Sequence, residues 1–386
     1  MKILYLTFYF EPDLCAGSFR NTPIAKLLAQ KLGSLGEVHV ITTSPNRYKT
    51  YEVNAPAYEE QNNLKIHRIK LPKHSSGLFD QAMAFKSYYD GVKRLIKSEK
   101  YNLVVASSSR LFTAYLGAKV ARKNKTKLYL DIRDLFRDTM AEMVKGVAWQ
   151  FLNPFLKWVE NYTFSNADHI NLVSQGFKPY FSLWTYPEYS FHSNGIDDLF
   201  IQKENESVKK QRSIPGNLIL YAGNIGEGQG LHKVIPGAAA GLPDFRFRIV
   251  GDGGARKKLQ EAVQNAANVE LINPVPRHEL MKEYEQADYL FLHLNDFKAF
   301  EKVLPSKLFE YAIYDKPIVA GVSGYAREFV MAHIRNHILF DPGHVEELIR
   351  SLRNYEYQHI ERKDFIERFT RSNISLKMVK EMLALL

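Results

Sequence analysis

Short apolar runs and longer amphipathic stretches take turns along the chain. Residues 2–8 form an apolar, β-favouring run that Glu11, Pro12 and Asp13 end. Residues 21–32 follow, with Ile24, Leu27, Leu28 and Leu32 recurring at the spacing of one helix face. The alternation continues with strands predicted at 38–42, 64–68, 103–107 and 128–132 and helices at 82–98 and 112–123. It then restarts. Strands are predicted at 218–222, 245–250, 269–271, 289–293 and 318–320, and helices at 231–240, 256–265, 279–286, 305–314 and 345–355. Apolar strands separated by helices predict a parallel sheet covered on both faces. The expectation is an α/β chain in which one doubly wound architecture occurs twice. The polar, interrupted stretch 195–214 reads as the linker.

Composition narrows the class. The 386 residues exceed one ordinary core and suit two. With 45% hydrophobic and 24% charged residues, the chain has the balance of a soluble globular protein. Cys15 is the single cysteine, which excludes an intramolecular disulfide and a CxxC site and fits a reducing compartment. The apolar start is too short for a signal peptide and lacks a small-residue cleavage site, so it reads as a buried first strand. With no apolar run long enough to span a bilayer, the expected location is the cytoplasm. The net charge of +10 is lopsided: residues 1–200 carry 26 Lys and Arg against 18 Asp and Glu, a balance of +8. Such a half suits an anionic partner, although a solvated basic surface accounts for the same excess. Scattered basic residues without a zinc or RRM-like motif argue against nucleic acid.

In doubly wound sheets ligands bind where strands end and helices begin, and four such junctions carry suggestive chemistry. After the first strand, Gly17 permits close backbone approach before a helix, and Arg20 adds a positive charge. After the strand at 218–222, Gly223, Gly226, Gly228 and Gly230 lie within eight residues and can wrap N–H groups around a diphosphate. That loop lacks the Gly-Lys-Ser/Thr ending of a P-loop, and no GxGxxG is present. At the third junction Pro305 suits the start of a helix, Ser306 and Lys307 occupy its first turn, and Glu310 lies one turn on, able to hold two ribose hydroxyls. The fourth is Asp131-Ile132-Arg133-Asp134, with Ser107, Ser108, Ser109 and Arg110 at the neighbouring strand end. Its acids could handle sugar hydroxyls or a phosphate, or serve a structural Asp–Arg pair.

Taken in order, these segments resemble the retaining family 4 glycosyltransferases of the GT-B fold. The resemblance runs through the Gly17 loop, Asp131 to Leu135, Asn171 to Phe177, Ser193 to Asp197, Gly223 to Gly230, Val250 to Gly253 and Pro305 to Tyr311. The branch it approaches is that of surface-polysaccharide transferases, including those similar to the O-antigen N-acetyl-fucosamine enzymes. It implies two Rossmann-like domains facing each other across a cleft: residues 1–195 on the acceptor side, with a C-terminal helix 372–386 crossing back, and residues 196–371 binding the nucleotide sugar. Glu310 would hold the ribose. Leu304, Ser306, Lys307, Gly223, Asn224, Gly226, Gln229 and Gly230 would hold the diphosphate, with Gly17 approaching from the first domain. Val275 and Arg277 would lie beside the base.

The chain also departs from the family pattern. The first of two glutamates spaced by seven falls on Lys302, with Glu301 one place off. The Arg and Lys of the diphosphate loop fall on Asn224 and Gln229. A histidine at the first-domain rim has no match. Lys307 and Arg20 therefore become the candidates for stabilising the leaving diphosphate, and Asp131 or Asp134 for orienting the acceptor. The resemblance implies a metal-independent transferase without a cofactor, taking a nucleoside-diphosphate sugar, UDP being the commoner base, and a polyprenyl-diphosphate-linked acceptor. The aromatic segment 148–158, with Lys145 and Lys157, suits an anionic membrane's inner face, although an ordinary core helix is the more favoured reading. The alternatives are an epimerase or hydrolase of sugar nucleotides on the same fold, and a non-catalytic partner subunit.

Overall fold

The structure, a computed structural model, describes residues 1–46, 53–72, 78–108, 110–201 and 216–386. From residue 202 on, the expected linker lies outside the described residues, as does Ser109. The chain divides into two compact units, residues 1–194 with 372–386, and residues 195–371.

The first unit is built on an eight-stranded sheet. Its strands are β1 (Lys2–Leu6), β2 (Glu37–Thr43), β3 (Tyr58–Gln61), β4 (Leu64–Ile69), β5 (Leu103–Ser108), β6 (Lys127–Ile132), β7 (His169–Leu172) and β8 (Glu188–Ser190). Their order is β3-β4-β2-β1-β5-β6-β7-β8, parallel throughout except between β3 and β4. Ile3 sits opposite both Val38 and Leu103, so β1 is buried on both faces as its unbroken apolar run demands. Helices α1 (Ala16–Leu32), α2 (Leu78–Leu95), α3 (Leu111–Asn124), α4 (Phe136–Met143) and α5 (Val147–Ser165) belong to this unit. Helix α1 starts five residues before the expected 21, because it runs through Gly17, which reads locally as a loop residue.

The second unit has six parallel strands: β9 (Leu218–Asn224), β10 (Arg246–Asp252), β11 (Val269–Ile272), β12 (Tyr289–His293), β13 (Ile318–Gly321) and β14 (His337–Phe340). Their order, β11-β10-β9-β12-β13-β14, is the Rossmann order, with its switch point between β9 and β12. Its helices include α6 (Leu231–Gly241), α7 (Arg256–Ala262), α8 (Arg277–Gln286), α9 (Lys307–Tyr311), α10 (Gly324–His333) and α11 (Val345–Arg353), with a short helix at Lys363–Arg368. The helix expected at 305–314 is thus reduced to the five residues of α9. Strands β3, β7, β8 and β14 and helices α4 and α10 add to the predicted elements. Gly251, at φ +152°, lets β10 approach β9 so closely that a Cβ would collide with the Gly223 carbonyl.

The last helix, α12 (Arg371–Ala384), returns to the first unit and places Ile374, Met378, Val379 and Met382 in that unit's core. Glu381 fixes it. Its carboxylate accepts from His192 Nε2 at 2.6 Å, Tyr129 Oη at 3.0 Å and Ser190 Oγ at 3.0 Å. Burial raises the carboxyl's pKa, but bonds from His169 and His192 outweigh it and hold the group well below its ordinary value of 4.5. A depressed folded-state pKa adds stability above the unfolded value and loses it as pH falls. Glu381→Gln should therefore cost about 2 kcal/mol at neutral pH. The deficit should shrink below about pH 4, measured by urea unfolding across pH.

Candidate functional site

The switch point of the second unit gathers most of the chemistry predicted there. Lys307 and Glu310 are three residues apart on α9, so both side chains leave the same face. Lys307 Nζ donates to Glu310 Oε2 at 2.7 Å and to Tyr284 Oη at 2.9 Å. Tyr284, on α8, donates in turn to the same Oε2 at 3.0 Å. Glu310 is 6% exposed. Burial pushes its carboxyl up, but Lys307 beside it reverses the shift and keeps it below the usual range. Burial, and then the Glu310 charge, raise the Tyr284 phenol well above 10, so it stays a neutral donor. Nothing in the sequence singles out Tyr284, which reads as one apolar position of a polar helix.

The glycine loop lies against this pair. Gly223, at φ +156°, has no Cβ where one would stand 3.4 Å from Lys307 Cε. The next residues close on themselves: Asn224 Nδ2 donates to Gln229 Oε1 at 2.8 Å, and Gly226 N–H donates to the same oxygen at 3.2 Å. The two positions at which the resemblance leads one to expect cations thus brace the loop with neutral amides. Gly230, at φ +58°, opens α6 with its missing Cβ against Asn295. His293, at the end of β12, holds the loop from beneath. Its Nε2 accepts from Gly343 N–H at 3.0 Å, so Nδ1 carries the proton to the Gln229 carbonyl at 2.6 Å. Burial lowers its pKa to about 4 and keeps it neutral. Sequence reasoning missed His293 because its partners lie 64 and 50 residues away.

The remaining predicted residues divide. Leu304 is buried in the apolar core, so its side chain serves packing. Ser306 precedes α9 in helical conformation without capping it through its side chain. Val275 packs at the rim of the core, just before α8. Arg277 pairs with Asp197 at 2.7 Å, stacks 5.0 Å over Phe200, and lies near enough to lower the Glu310 pKa. The helix dipole invoked for residues 305–314 is small in a five-residue helix, so the charge of Lys307 matters more than the dipole.

In the first unit the structure corrects two expectations. Arg20 and Asp131, predicted to meet substrate, are 2% and 0% exposed and bind each other through two bonds, Nε to Oδ2 at 2.8 Å and Nη2 to Oδ1 at 2.9 Å. Arg20 also donates to the carbonyls of Ser193 at 2.6 Å and His192 at 2.9 Å. Asp131 takes further bonds from Asn171 Nδ2 at 2.8 Å and Ser107 Oγ at 3.2 Å. Burial raises the Asp131 carboxyl, but Arg20 turns the shift downward. The structural Asp–Arg pair is therefore real, with Arg20 as the partner. Asp134 is exposed at the same strand end, and Gly17 lies in the first turn of α1. Among the described residues Asp341, His344 and Glu347 could approach one cation, but they are largely exposed and Asp341 already pairs with Arg327 at 2.8 Å.

Residues 202–371 match the family Glycosyl transferases group 1, a span that covers the second unit almost end to end. Escherichia coli (strain K12) WcaI, named as a colanic acid biosynthesis glycosyl transferase, is 35% identical over 109 residues, which span 27% of this chain and 26% of WcaI. Among solved structures, sucrose-phosphate synthase from Thermosynechococcus elongatus superposes with a TM-score of 0.75 at 15% identity, over 100% of this chain and 98% of that one. Anabaena Alr3699/HepE, in complex with UDP-glucose, gives 0.66 at 16% identity over 100% of both chains. The lipopolysaccharide-biosynthesis glycosyltransferase WaaG gives 0.60 at 16% identity, over 98% and 94%. The fold is GT-B, built from two Rossmann-like domains.

Because Asp131 has no route to water, removing its cation strands a buried charge. Arg20→Met should cost about 3–5 kcal/mol of stability. Combining it with Asp131→Asn should recover part of that loss, read by urea unfolding of the two variants.

Proposed function

We propose that the protein is a retaining, metal-independent glycosyltransferase of surface-polysaccharide biosynthesis. It moves a sugar from a nucleoside diphosphate, UDP in the first instance, to a lipid-linked or glycan acceptor, in the manner of the O-antigen N-acetyl-fucosamine-type transferases. The observation that carries this reading is the ionised Glu310 held beside Lys307 and Gly223 at the switch point of a Rossmann sheet. A buried carboxylate with acceptor capacity to spare suits two ribose hydroxyls, and an adjacent ammonium suits a diphosphate. The match of residues 202–371 and the UDP complexes of Alr3699/HepE support the same donor class.

The bond from the anomeric carbon to the diphosphate oxygen breaks, and its electron pair stays on that oxygen. Lys307 and backbone N–H groups stabilise the charge that develops there. The acceptor hydroxyl bonds to the anomeric carbon from the same face, and its proton passes to the departing diphosphate, so no protein base is needed.

Calorimetric titration with UDP, GDP and dTDP tests the donor site. Glu310→Ala and Lys307→Ala should each weaken the preferred nucleotide by roughly ten- to a hundredfold, the worth of charge-assisted hydrogen bonds. No affinity for any nucleoside diphosphate would overturn the reading. Release of nucleotide from its sugar only when a lipid-linked acceptor is added separates a transferase from a hydrolase, an epimerase or a silent subunit. Product of inverted anomeric configuration by NMR would reject retention.

A lipid-linked acceptor is supported by helix α5. One face of α5 packs as the core-helix reading expects, with Leu156, Val159 and Phe164 buried, while Val147, Phe151, Phe155 and Trp158 are exposed on the other, Phe151 at 79% and Trp158 at 53%. Met143, Lys145 and Lys157 are exposed beside it, and Lys119 and Arg122 lie over Tyr115 and Tyr162 nearby. Aromatic side chains ringed by cations suit an anionic bilayer interface. No helix among the described residues is long and apolar enough to cross a membrane. Flotation with anionic vesicles should recover the wild type and lose Phe151→Ser/Trp158→Ser, and failure of the wild type to float at low salt would reject a membrane face.

A further inference from the structure

The segment ending at Asp197 carries part of the resemblance, yet the donor site built on Glu310 leaves it without a role. The chain enters the second unit here, at Gly195, and leaves it at Arg371. The two ends lie side by side. Ile196 N–H donates to the Phe369 carbonyl at 2.7 Å, and Arg371 N–H donates to the Ile196 carbonyl at 2.6 Å. Ile196 and Thr370 form a single parallel bridge. Two backbone hydrogen bonds alone make a weak join.

Asp197 adds charge to that join. Its Oδ1 accepts from Leu199 N–H at 3.0 Å, which fixes the carboxylate to its own turn. Its Oδ2 accepts from Arg371 Nη1, and Arg371 Nη2 donates to the Gly195 carbonyl at 3.2 Å. The same Oδ2 pairs with Arg277 Nη1 at 2.7 Å. Burial raises the Asp197 carboxyl, but Arg371 and then Arg277 turn the shift downward, so it stays charged. One negative oxygen thus serves two guanidinium groups, whose like charges oppose each other.

Arg277 opens α8, the helix that carries Tyr284. Its guanidinium stacks 5.0 Å over the buried Phe200, and the Phe200 ring lies 6.1 Å from that of Tyr284. Tyr284 donates to Glu310, and the Arg277 charge is close enough to help keep Glu310 ionised. Asp197, Arg277, Phe200, Tyr284 and Glu310 therefore make a continuous run of contacts within one unit. A diphosphate beside Glu310 and Lys307 draws Arg277 electrostatically, and the competition for Asp197 Oδ2 then shifts toward Arg371.

We propose that Asp197 positions Arg277 beside Glu310 for the nucleotide and, through Arg371, couples donor binding to the pairing of residues 195–197 with 369–371. The assignment rests on the reading of the second unit as the donor site. Coupling requires an element with two states that both sites bias, and this pairing, open or closed, is that element. Nucleotide favours the closed state by leaving Asp197 to Arg371.

Hydrogen exchange and calorimetry with UDP, GDP and dTDP, on the full chain, test the proposal. At saturation, the nucleotide that binds the wild type most tightly should slow exchange of the Ile196 and Arg371 amides roughly tenfold. Arg277→Met keeps Asp197 with Arg371 and should abolish that slowing at saturating nucleotide. In calorimetry Arg277→Met and Asp197→Asn should each weaken the nucleotide roughly tenfold. The double variant should bind no more weakly than Arg277→Met alone, because Asp197 acts on the nucleotide through Arg277. Additive losses would overturn the positioning role, and so would Asp197→Asn that melts lower yet binds as tightly as the wild type. Exchange unchanged in the saturated wild type, a measurement that needs no variant to fold, would overturn the coupling, as would slowing that persists in Arg277→Met. Failure of the underlying donor reading looks different: the wild type then has no affinity for any of the three nucleotides.

Discussion

Each unit of this protein is organised around a carboxylate kept charged out of water. In the second, Glu310 is ionised because Lys307 and Tyr284 both donate to one of its oxygens. In the first, Asp131 is ionised because Arg20 grips both of its oxygens. A buried carboxylate without a partner would take up a proton instead. The two compensations differ in completeness. Asp131 has its acceptor positions filled from four directions and acts as a structural hub. Glu310 takes its bonds from Lys307 and Tyr284 at Oε2, and among the described residues none reaches its other oxygen, which is what a ligand-binding carboxylate needs.

The same contrast holds for the cations. Arg20 has acceptors on Asp131 and on two carbonyls, and so belongs to the scaffold. Arg133 has none for two of its nitrogens. Glycine allows the close approach in both units, Gly223 against Lys307 and Gly17 against Arg133. In each case the missing side chain leaves room for a charged side chain beside the backbone.

Helix α5 shows how one element serves two environments. Leu156, Val159 and Phe164 seal it to the first unit, while Glu160 is held by Arg137 and Tyr180. Phe151, Phe155 and Trp158 face outward. Composition registers the segment as apolar all round, which is why a core helix was the favoured reading. Only the neighbours that pack on it reveal which of its apolar side chains are buried and which stay exposed.

The periodicity of apolar residues was enough to determine two doubly wound sheets, because strand and helix periods are local properties of the chain. The glycine run, Lys307 and Glu310 were legible for the same reason: the loop and the residues of α9 that meet at the site are each close in sequence. What tertiary structure alone decided is which charges cancel. Arg20 and Asp131 are 111 positions apart, and Tyr284 and Glu310 are 26. Arg20 and Arg133 look alike as cations near strand ends, and no spacing rule distinguishes them. Folding gives Asp131's hydrogen bonds to one and leaves two nitrogens of the other without them, because hydrogen bonds depend on distances of about 3 Å that a linear pattern does not encode.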